Sequence, residues 1–348
     1  MRIAVLMGGT SAEREISIRT GGGVSRALTK LGHEVVVLDT GTGKLLNGAE
    51  LHAALGNPAG SAALAPVSIP AGTGTIGLTP FVHGLSRDVD LVFVALHGGD
   101  GENGTLQALL DLARVPYTGS GVLASALAMD KAISKRIFVY EAVPTPDWAE
   151  RWAPEDPAQP WSPELTDEEL ERLGGFPVIV KPNDQGSTVG ITVAASRAEL
   201  KAALHTARRF GRLALIERYI PGREVTVSVL EDRALPVVEI IPEGGFYDYE
   251  HKYTAGQSRY ECPAKLPPET TERLLSLGLL ACRALRTRGI ARVDFRLDEE
   301  GTPFCLEVNT VPGLTETSLV PKAAAAAGMS YEDLVRAIVD SAPVEAAR

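Results

Sequence analysis

Arg292-Val293-Asp294-Phe295-Arg296-Leu297, Asp298-Glu299-Glu300-Gly301-Thr302 and Pro303-Phe304-Cys305-Leu306-Glu307-Val308-Asn309 form one unbroken stretch, two alternating arms around an acidic, glycine-bearing turn. Alternation of apolar and polar residues is the period of a strand with one buried face, so the stretch predicts a β-hairpin. A register that sets Leu297 opposite Phe304 also sets Phe295 opposite Leu306 and Val293 opposite Val308, which builds one apolar face. The other face then carries Asp294 opposite Glu307 and Arg292 opposite Asn309. Two carboxylates directly across a ladder repel each other unless a cation lies between them. Asp294, Glu307 and Asn309 offer oxygen donors with no His or Cys, a set that suits a hard ion such as Mg²⁺, which completes its shell with water and phosphate oxygens. A solvated acidic hairpin face is the other reading. The turn Asn309-Thr310-Val311-Pro312-Gly313 favours a site, because it presents backbone N–H groups beside the acids.

Upstream, Val180-Lys181-Pro182-Asn183-Asp184-Gln185-Gly186-Ser187-Thr188-Val189-Gly190 reads as strand, polar glycine loop and strand. Glycine lets a backbone approach phosphate oxygens, Ser187 and Thr188 add hydroxyl donors, and Lys181 is placed to neutralise charge. The GxxxxGK[ST] order is absent, so a P-loop NTPase is disfavoured, and both a flap over phosphates and an ordinary hairpin loop remain. Leu215 to Glu224 ends a buried strand at Pro221-Gly222, an edge suited either to a purine and its ribose or to a plain turn. Phe246-Tyr247-Asp248-Tyr249-Glu250-His251-Lys252-Tyr253 has neither strand nor helix period and predicts an ordered loop, of the kind that closes over a ligand or simply lies on the surface.

At the other end, Ile3 to Met7 is an apolar run closed by Gly8-Gly9, followed by helical spacing from Glu15 to Leu31 and further strands at Val35 to Leu38 and Leu91 to Leu96. Strand, turn, helix and strand in this order predict a parallel sheet with crossover helices. The Gly8-Gly9-Thr10-Ser11 turn lacks the G-x-G-x-x-G spacing, which disfavours an NAD enzyme. His97 lies in a glycine-rich loop at the carboxyl end of a buried strand, where open α/β sheets place ligands. A helix is expected from Gly121 through Asp130-Lys131 to Tyr140, then a connection over Pro144 to Pro163. Residues 41–80 show weak periodicity, consistent with loop and a short helix.

The chain of 348 residues carries 44 acidic against 34 basic side chains, a net −10 that leaves no positive field for a nucleic acid. Three cysteines without CxxC pairing argue against a disulfide framework or zinc site. No apolar run approaches the ~18 residues that cross a bilayer, and the first is too short for a signal-peptide core, so the expectation is a cytoplasmic protein without membrane partner.

Taken in order, Gly8 to Glu15, Leu96-His97-Gly98, Glu102-Asn103-Gly104-Thr105, Tyr117 to Gly121, Met129-Asp130-Lys131, Lys181-Pro182, Gly186-Ser187, Tyr247-Asp248-Tyr249, Lys252-Tyr253, Arg292-Val293-Asp294 and Glu307-Val308-Asn309-Thr310 make the chain resemble the D-alanine:D-alanine ligase family of the ATP-grasp superfamily. The resemblance implies an ATP-grasp fold preceded by an N-terminal Rossmann-like parallel-sheet domain, an α/β region followed by α+β regions. The implied domains are an N-terminal substrate domain over 1–120, a central ATP-grasp subdomain over 121–212 and a C-terminal subdomain over 213–348.

On the same ground, Lys131, Lys181, Glu217, Ile220 and Glu224 are expected to bind ATP. Asp294, Glu307 and Asn309 are expected to hold two Mg²⁺ ions, with Mn²⁺ as a substitute. The implied reaction activates one D-alanine carboxylate as an acyl phosphate and then joins it to the amine of a second D-alanine. Arg292 and the Gly313 backbone would face the tetrahedral oxyanion and Lys252 the transferred phosphoryl group. Glu13 would hold the first ammonium in a hydrogen-bonded group with Ser187 and Tyr253, with Tyr253 favouring the dipeptide over an ester; His97, Ser318 and Leu319 would meet substrate. Thr317 stands where many relatives have His, residues 41–88 exceed the compact form of the family, and a homodimer is implied. A ligase for another carboxylate and amine, and a nucleotide-binding sensor without turnover, are the competing readings.

Overall fold

The structure is a computed structural model that describes residues 1–46, 89–156, 159, 161, 163–187, 189–242 and 258–343. Its first sheet has β1 (Arg2–Met7) flanked in parallel by β2 (Glu34–Asp39) and β4 (Leu91–Val94), with β3 (Lys44–Leu46) added antiparallel at the edge. A strand paired on both sides and covered on both faces must be apolar throughout, which is why Ile3 to Met7 runs without a polar break. Between β1 and β2 the chain forms α1 (Arg14–Lys30), and after β4 it forms α2 (Thr105–Ala113). Gly8 has φ of +81°, and a Cβ there would stand 2.2 Å from Asp39 Oδ1, so only glycine fits this turn. Residues 47–88, most of the segment expected to be loop and short helix, lie outside the described residues.

The helix expected from Gly121 to Tyr140 is two helices, α3 (Val122–Met129) and α4 (Lys131–Tyr140). Asp130 takes an extended conformation between them and its carboxylate accepts the Ile133 N–H at 2.9 Å, capping α4. Lys131 therefore opens a helix rather than lying inside one. The second sheet is antiparallel, in the order β5 (Trp148–Trp152), β8 (Leu213–Arg218), β6 (Val178–Pro182), β7 (Thr192–Ala194). Helix α5 (Asp167–Arg172) precedes β6, and α6 (Arg197–Ala207) lies between β7 and β8. Two expectations change here. The segment read as a connection, Pro144 to Pro163, contains edge strand β5; and the boundary expected at 212/213 falls just before β8, which is an interior strand of this sheet.

The third sheet runs β12 (Ser258–Glu261), β11 (Val238–Pro242), β9 (Arg223–Leu230), β13 (Ile290–Leu297), β14 (Pro303–Asn309), with β10 (Arg233–Ala234) paired to β9. Helix α7 (Pro268–Ala284) covers one face, where Val225, Val227, Val293, Phe295 and Cys305 share a core with Leu274 and Ala281. Burying side chains of this size contributes roughly 1.5–3 kcal/mol each for the larger ones. The hairpin register is as expected from Arg292/Asn309 to Asp294/Glu307, then shifts at a β-bulge: Phe295 pairs with Cys305 and Leu297 with Pro303. The expected pairs Phe295/Leu306 and Leu297/Phe304 therefore do not form. Helices α8 (Leu319–Ala326) and α9 (Tyr331–Asp340) complete the chain, and their Val320, Leu334 and Ile338 pack in one core with Ile3, Val5 and Leu28 of the first sheet layer. That shared core brings the glycine turns after β1 and β4 over the end of the hairpin. No helix among the described residues is long and apolar enough to cross a membrane.

Candidate active site

The acidic face of the hairpin is the partition between two cavities. Lys131, Lys181, Glu217, Ile220 and Glu307 line the first. Glu13, His97, Ser187, Arg292, Asn309 and Gly313 line the second, together with Ser318 and Leu319 at the start of α8. Asp294 and Glu224 wall both. Lys252 and Tyr253 lie outside the described residues.

Across the ladder, the Asp294 and Glu307 carboxylates each meet a cation of the protein itself. Arg292 donates from Nε and Nη2 to the two oxygens of Asp294, each at 2.8 Å, and Asn309 Nδ2 donates to Asp294 Oδ2 at 3.1 Å. Lys131 Nζ stands 3.1 Å from Glu307 Oε2 and donates to the Gln185 carbonyl at 2.7 Å. The repulsion foreseen from the sequence is thus relieved by side chains in this arrangement. Among the described residues no three His, Cys, Asp or Glu gather as a closed metal cage. Two carboxylates and an amide on one wall instead fit a hard divalent ion that keeps room for water and phosphate oxygens.

Deeper in the first cavity, Glu217 is 2 % exposed and stands 2.8 Å from Lys181 Nζ and 3.0 Å from Lys135 Nζ. Burial by itself raises a carboxyl pKa, but the charges of Lys135 and Lys181 outweigh it and hold Glu217 below its ordinary value. Lys135 is fully buried, and burial pushes its ammonium down to about 8 against the opposing pull of Glu217. Arg296, on the face of Asp294, donates to the carbonyls of Ile220 at 3.2 Å and Gly222 at 3.1 Å, which pins the Pro221-Gly222 turn against the cavity.

In the second cavity, Ser187 adopts φ of +51° and its hydroxyl donates to Glu13 Oε1. Ser11 braces the same loop: it donates to the His97 carbonyl at 2.6 Å and accepts from the Glu13 N–H at 3.2 Å. His97 Nδ1 donates to the Val311 carbonyl at 2.8 Å, while Nε2 meets Thr20 Oγ1 at 2.9 Å. Burial lowers the imidazole pKa, yet Glu102, Glu13 and the Val311 carbonyl together raise it above its ordinary value. At Gly313 a Cβ would lie 2.9 Å from Ser318 Oγ, so a larger residue at this turn would have to displace the Ser318 side chain. Ser318 accepts the Thr315 N–H at 3.0 Å, and Thr317 lies 3.3 Å from Thr315 Oγ1.

Two residues of these walls, Arg296 and Leu306, and one behind them, Lys135, were not singled out as site residues from the sequence. Lys135 stands four residues after Lys131, on the same helix face, and that spacing was its one signal. Arg296 shares the alternation phase of Arg292 and Asp294. Leu306 had a misleading signal, since strict alternation assigns it to the core, whereas the bulge turns it into the first cavity beside Glu307.

Two family models match the chain: D-ala D-ala ligase N-terminus over residues 2–120 and D-ala D-ala ligase C-terminus over residues 143–340. A D-alanine--D-alanine ligase of Gloeobacter violaceus is 43% identical over 343 residues, spanning 98% of this chain and 99% of that protein. One from Bordetella pertussis is 43% identical over 347 residues, with 98% and 95% covered. The crystal structure of D-alanine--D-alanine ligase from Bacillus anthracis complexed with ATP superposes with a TM-score of 0.76 at 33% identity, covering 98% of this chain and 97% of that one.

Proposed function

This chain belongs to the D-alanine–D-alanine ligase family, and from that premise we propose that its first cavity takes ATP, its second takes two D-alanine molecules, and the wall between them is where they react. The protein has the ATP-grasp fold and is an ATP-dependent ligase that makes D-alanyl-D-alanine for peptidoglycan synthesis. The observation that carries the assignment of the cavities is the position of Asp294, a carboxylate shared by both, with Arg292 on it. A phosphoryl group passed from one cavity to a carboxylate in the other must cross this wall.

In the proposed sequence an oxygen of the first D-alanine carboxylate attacks the γ-phosphorus of ATP, and the bond to the ADP oxygen breaks. The amine of the second D-alanine, having lost a proton, then attacks the acyl carbon, and phosphate leaves with the acyl–oxygen bond pair. No protein nucleophile takes part, so catalysis consists of positioning and charge stabilisation. Lys131 and Lys181 bind phosphate oxygens, Glu217, Ile220 and Glu224 complete the nucleotide pocket, and Leu306 adds an apolar wall. Glu13, held by Ser187, takes the first ammonium; Ser318 and Leu319 at the start of α8 take the second substrate. Arg292 and the Gly313 N–H face the tetrahedral oxyanion. Mg²⁺ ions, or Mn²⁺ in their place, would be held by Asp294, Glu307 and Asn309 and would neutralise charge on the transferred phosphoryl group. Lys252 and Tyr253 keep the roles the family resemblance implies, Lys252 toward the transferred phosphoryl group and Tyr253 with Glu13 and Ser187.

The proposal also divides the chain after residue 120 and after Arg218, where β8 leaves the central sheet, and assigns it to a cytoplasmic homodimer. Phosphate release with ATP, Mg²⁺ and D-alanine tests the reaction, with L-alanine and with D-alanine plus D-lactate as comparisons. Release that requires D-alanine and yields the dipeptide is expected. Release indifferent to D-alanine, or equal with L-alanine, would overturn it.

A further inference from the structure

Lys135 stands outside the roles assigned above. It is fully buried, does not line the nucleotide cavity, and approaches the same oxygen of Glu217 that Lys181 approaches from the cavity side, at 3.0 Å against 2.8 Å. An ammonium with no water around it is strongly unfavourable unless its charge and its protons are matched. Here they are matched on several sides. Lys135 Nζ donates to Thr145 Oγ1 at 2.7 Å, Thr145 donates to the Cys305 carbonyl of β14 at 2.8 Å, and the ammonium lies 5.3 Å from the centre of the Trp148 ring.

The charge count of this group has a consequence for the cavity. Glu217 and Lys181 alone would form a neutral pair, with the lysine's charge taken up by its partner. Adding Lys135 leaves the group with one net positive charge, and Lys181 is the member of the two lysines that lines the cavity. One helical turn before Lys135, Lys131 lines the same cavity beside Glu307. Helix α4 thus offers one lysine to the cavity directly and another from behind a carboxylate.

We propose that Lys135 is a positioning residue for the nucleotide: it neutralises Glu217 from the buried side and so leaves the charge of Lys181 to the phosphates of ATP. Burial lowers the Lys135 pKa to about 8 against the opposing pull of Glu217, which still leaves the ammonium the major form at about pH 7. The inference rests on the reading of the first cavity as the ATP site.

The experiment compares the wild-type protein with Lys135→Met, Lys135→Arg, Glu217→Gln and the double variant Lys135→Met/Glu217→Gln. It reads the dissociation constant of MgADP by calorimetry and the KM values for ATP and D-alanine. Lys135→Met is expected to weaken MgADP and raise the KM for ATP about tenfold or more, the scale of one charge-assisted contact, while the KM for D-alanine stays within about twofold. The double variant, which removes both opposite charges, is expected to bind MgADP better than Lys135→Met and close to Glu217→Gln. Lys135→Arg is expected to retain binding. Should Lys135→Met fail to fold, the charge-balanced double variant carries the comparison with Glu217→Gln.

A folded Lys135→Met with wild-type MgADP affinity overturns the inference, as does a double variant weaker than Glu217→Gln by the full loss seen in Lys135→Met. Failure of the wild-type protein to bind MgADP, or unchanged affinity in Lys181→Met, would instead remove the assignment of the cavity on which the inference stands.

Discussion

Arg292 holds Asp294, two residues further along the same strand, through two parallel contacts of 2.8 Å. Strand geometry puts residues i and i+2 on one face, so the arginine supplies a counter-ion to the carboxylate that both cavities share while itself lining the second cavity. The pair couples the two halves of the proposed site, and each member has a separate test.

Replacing Asp294 by Asn removes the charge that both Arg292 and a divalent ion would meet. The expected result is a Mg²⁺ titration of activity displaced to higher concentration, with kcat lower by about 100-fold or more. Arg292→Met is expected to lower kcat by a similar factor of about 100 through the lost oxyanion contact, yet to leave the KM for ATP nearly unchanged. Equal effects of the two variants on the Mg²⁺ midpoint would contradict this separation.

Leu306 reaches the first cavity only because of the bulge in β14. Leu306→Ala should raise the KM for ATP by about tenfold, corresponding to lost apolar burial against the nucleotide, and leave the KM for D-alanine as it is. A change in D-alanine kinetics alone would mean that Leu306 does not contact the nucleotide.

The turn after β1 is tied by Arg14, which donates to Asp39 at 2.8 and 2.6 Å and to the Gly9 carbonyl at 2.9 Å. Burial raises the Asp39 pKa, but its hydrogen bonds from Arg14, the Arg14 charge, Thr42 and Gly41 more than reverse this and lower it from 3.8. The folded value lies below the unfolded one, so the stabilisation is present above about pH 3.8 and is lost as pH falls through the lower folded value. Urea midpoints measured between pH 6 and pH 2.5 should therefore fall less steeply for Asp39→Asn than for the wild-type protein. Identical slopes would remove the linkage.

Cys282 and Cys305 are buried, and Cys262 is half-buried. Burial pushes the Cys282 thiol up to about 11, Cys305 well above its ordinary range, and Cys262 upward as well. The thiolate is the reactive form, so at pH 8 a disulfide reagent should find Cys282 and Cys305 inert in the native protein and all three thiols after unfolding. Fast modification of either buried thiol in the native state would show that its strand or helix opens locally.

Much of this site was readable before any coordinates. The apolar run Ile3 to Met7, the Gly8-Gly9 turn and the alternation from Arg292 to Leu297 are local patterns, and local patterns report period and turn directly. The opposition of Asp294 and Glu307 followed from the same alternation, because the hairpin is paired in that register up to the bulge. Strand β5 was hidden among prolines and polar residues. As an edge strand it hydrogen-bonds on one side, to β8, and needs neither a continuous apolar run nor a clean alternation. The break at Asp130 was hidden in another way, since an aspartate inside a helical period looks the same whether it faces solvent or caps a second helix.

What the order of residues determined by itself is where strands and helices run, which loops carry glycine, and which residues share a face up to the first irregularity. Tertiary structure alone decided that Leu306 leaves the core, that Lys135 and Lys181 converge on one oxygen of Glu217, and that the Ser187 hydroxyl meets Glu13 across 174 residues of chain. The physical reason is one of range. Periodicity and turn chemistry act over a few residues, whereas a bulge or a buried ion pair is stabilised only once distant segments have excluded water from around it.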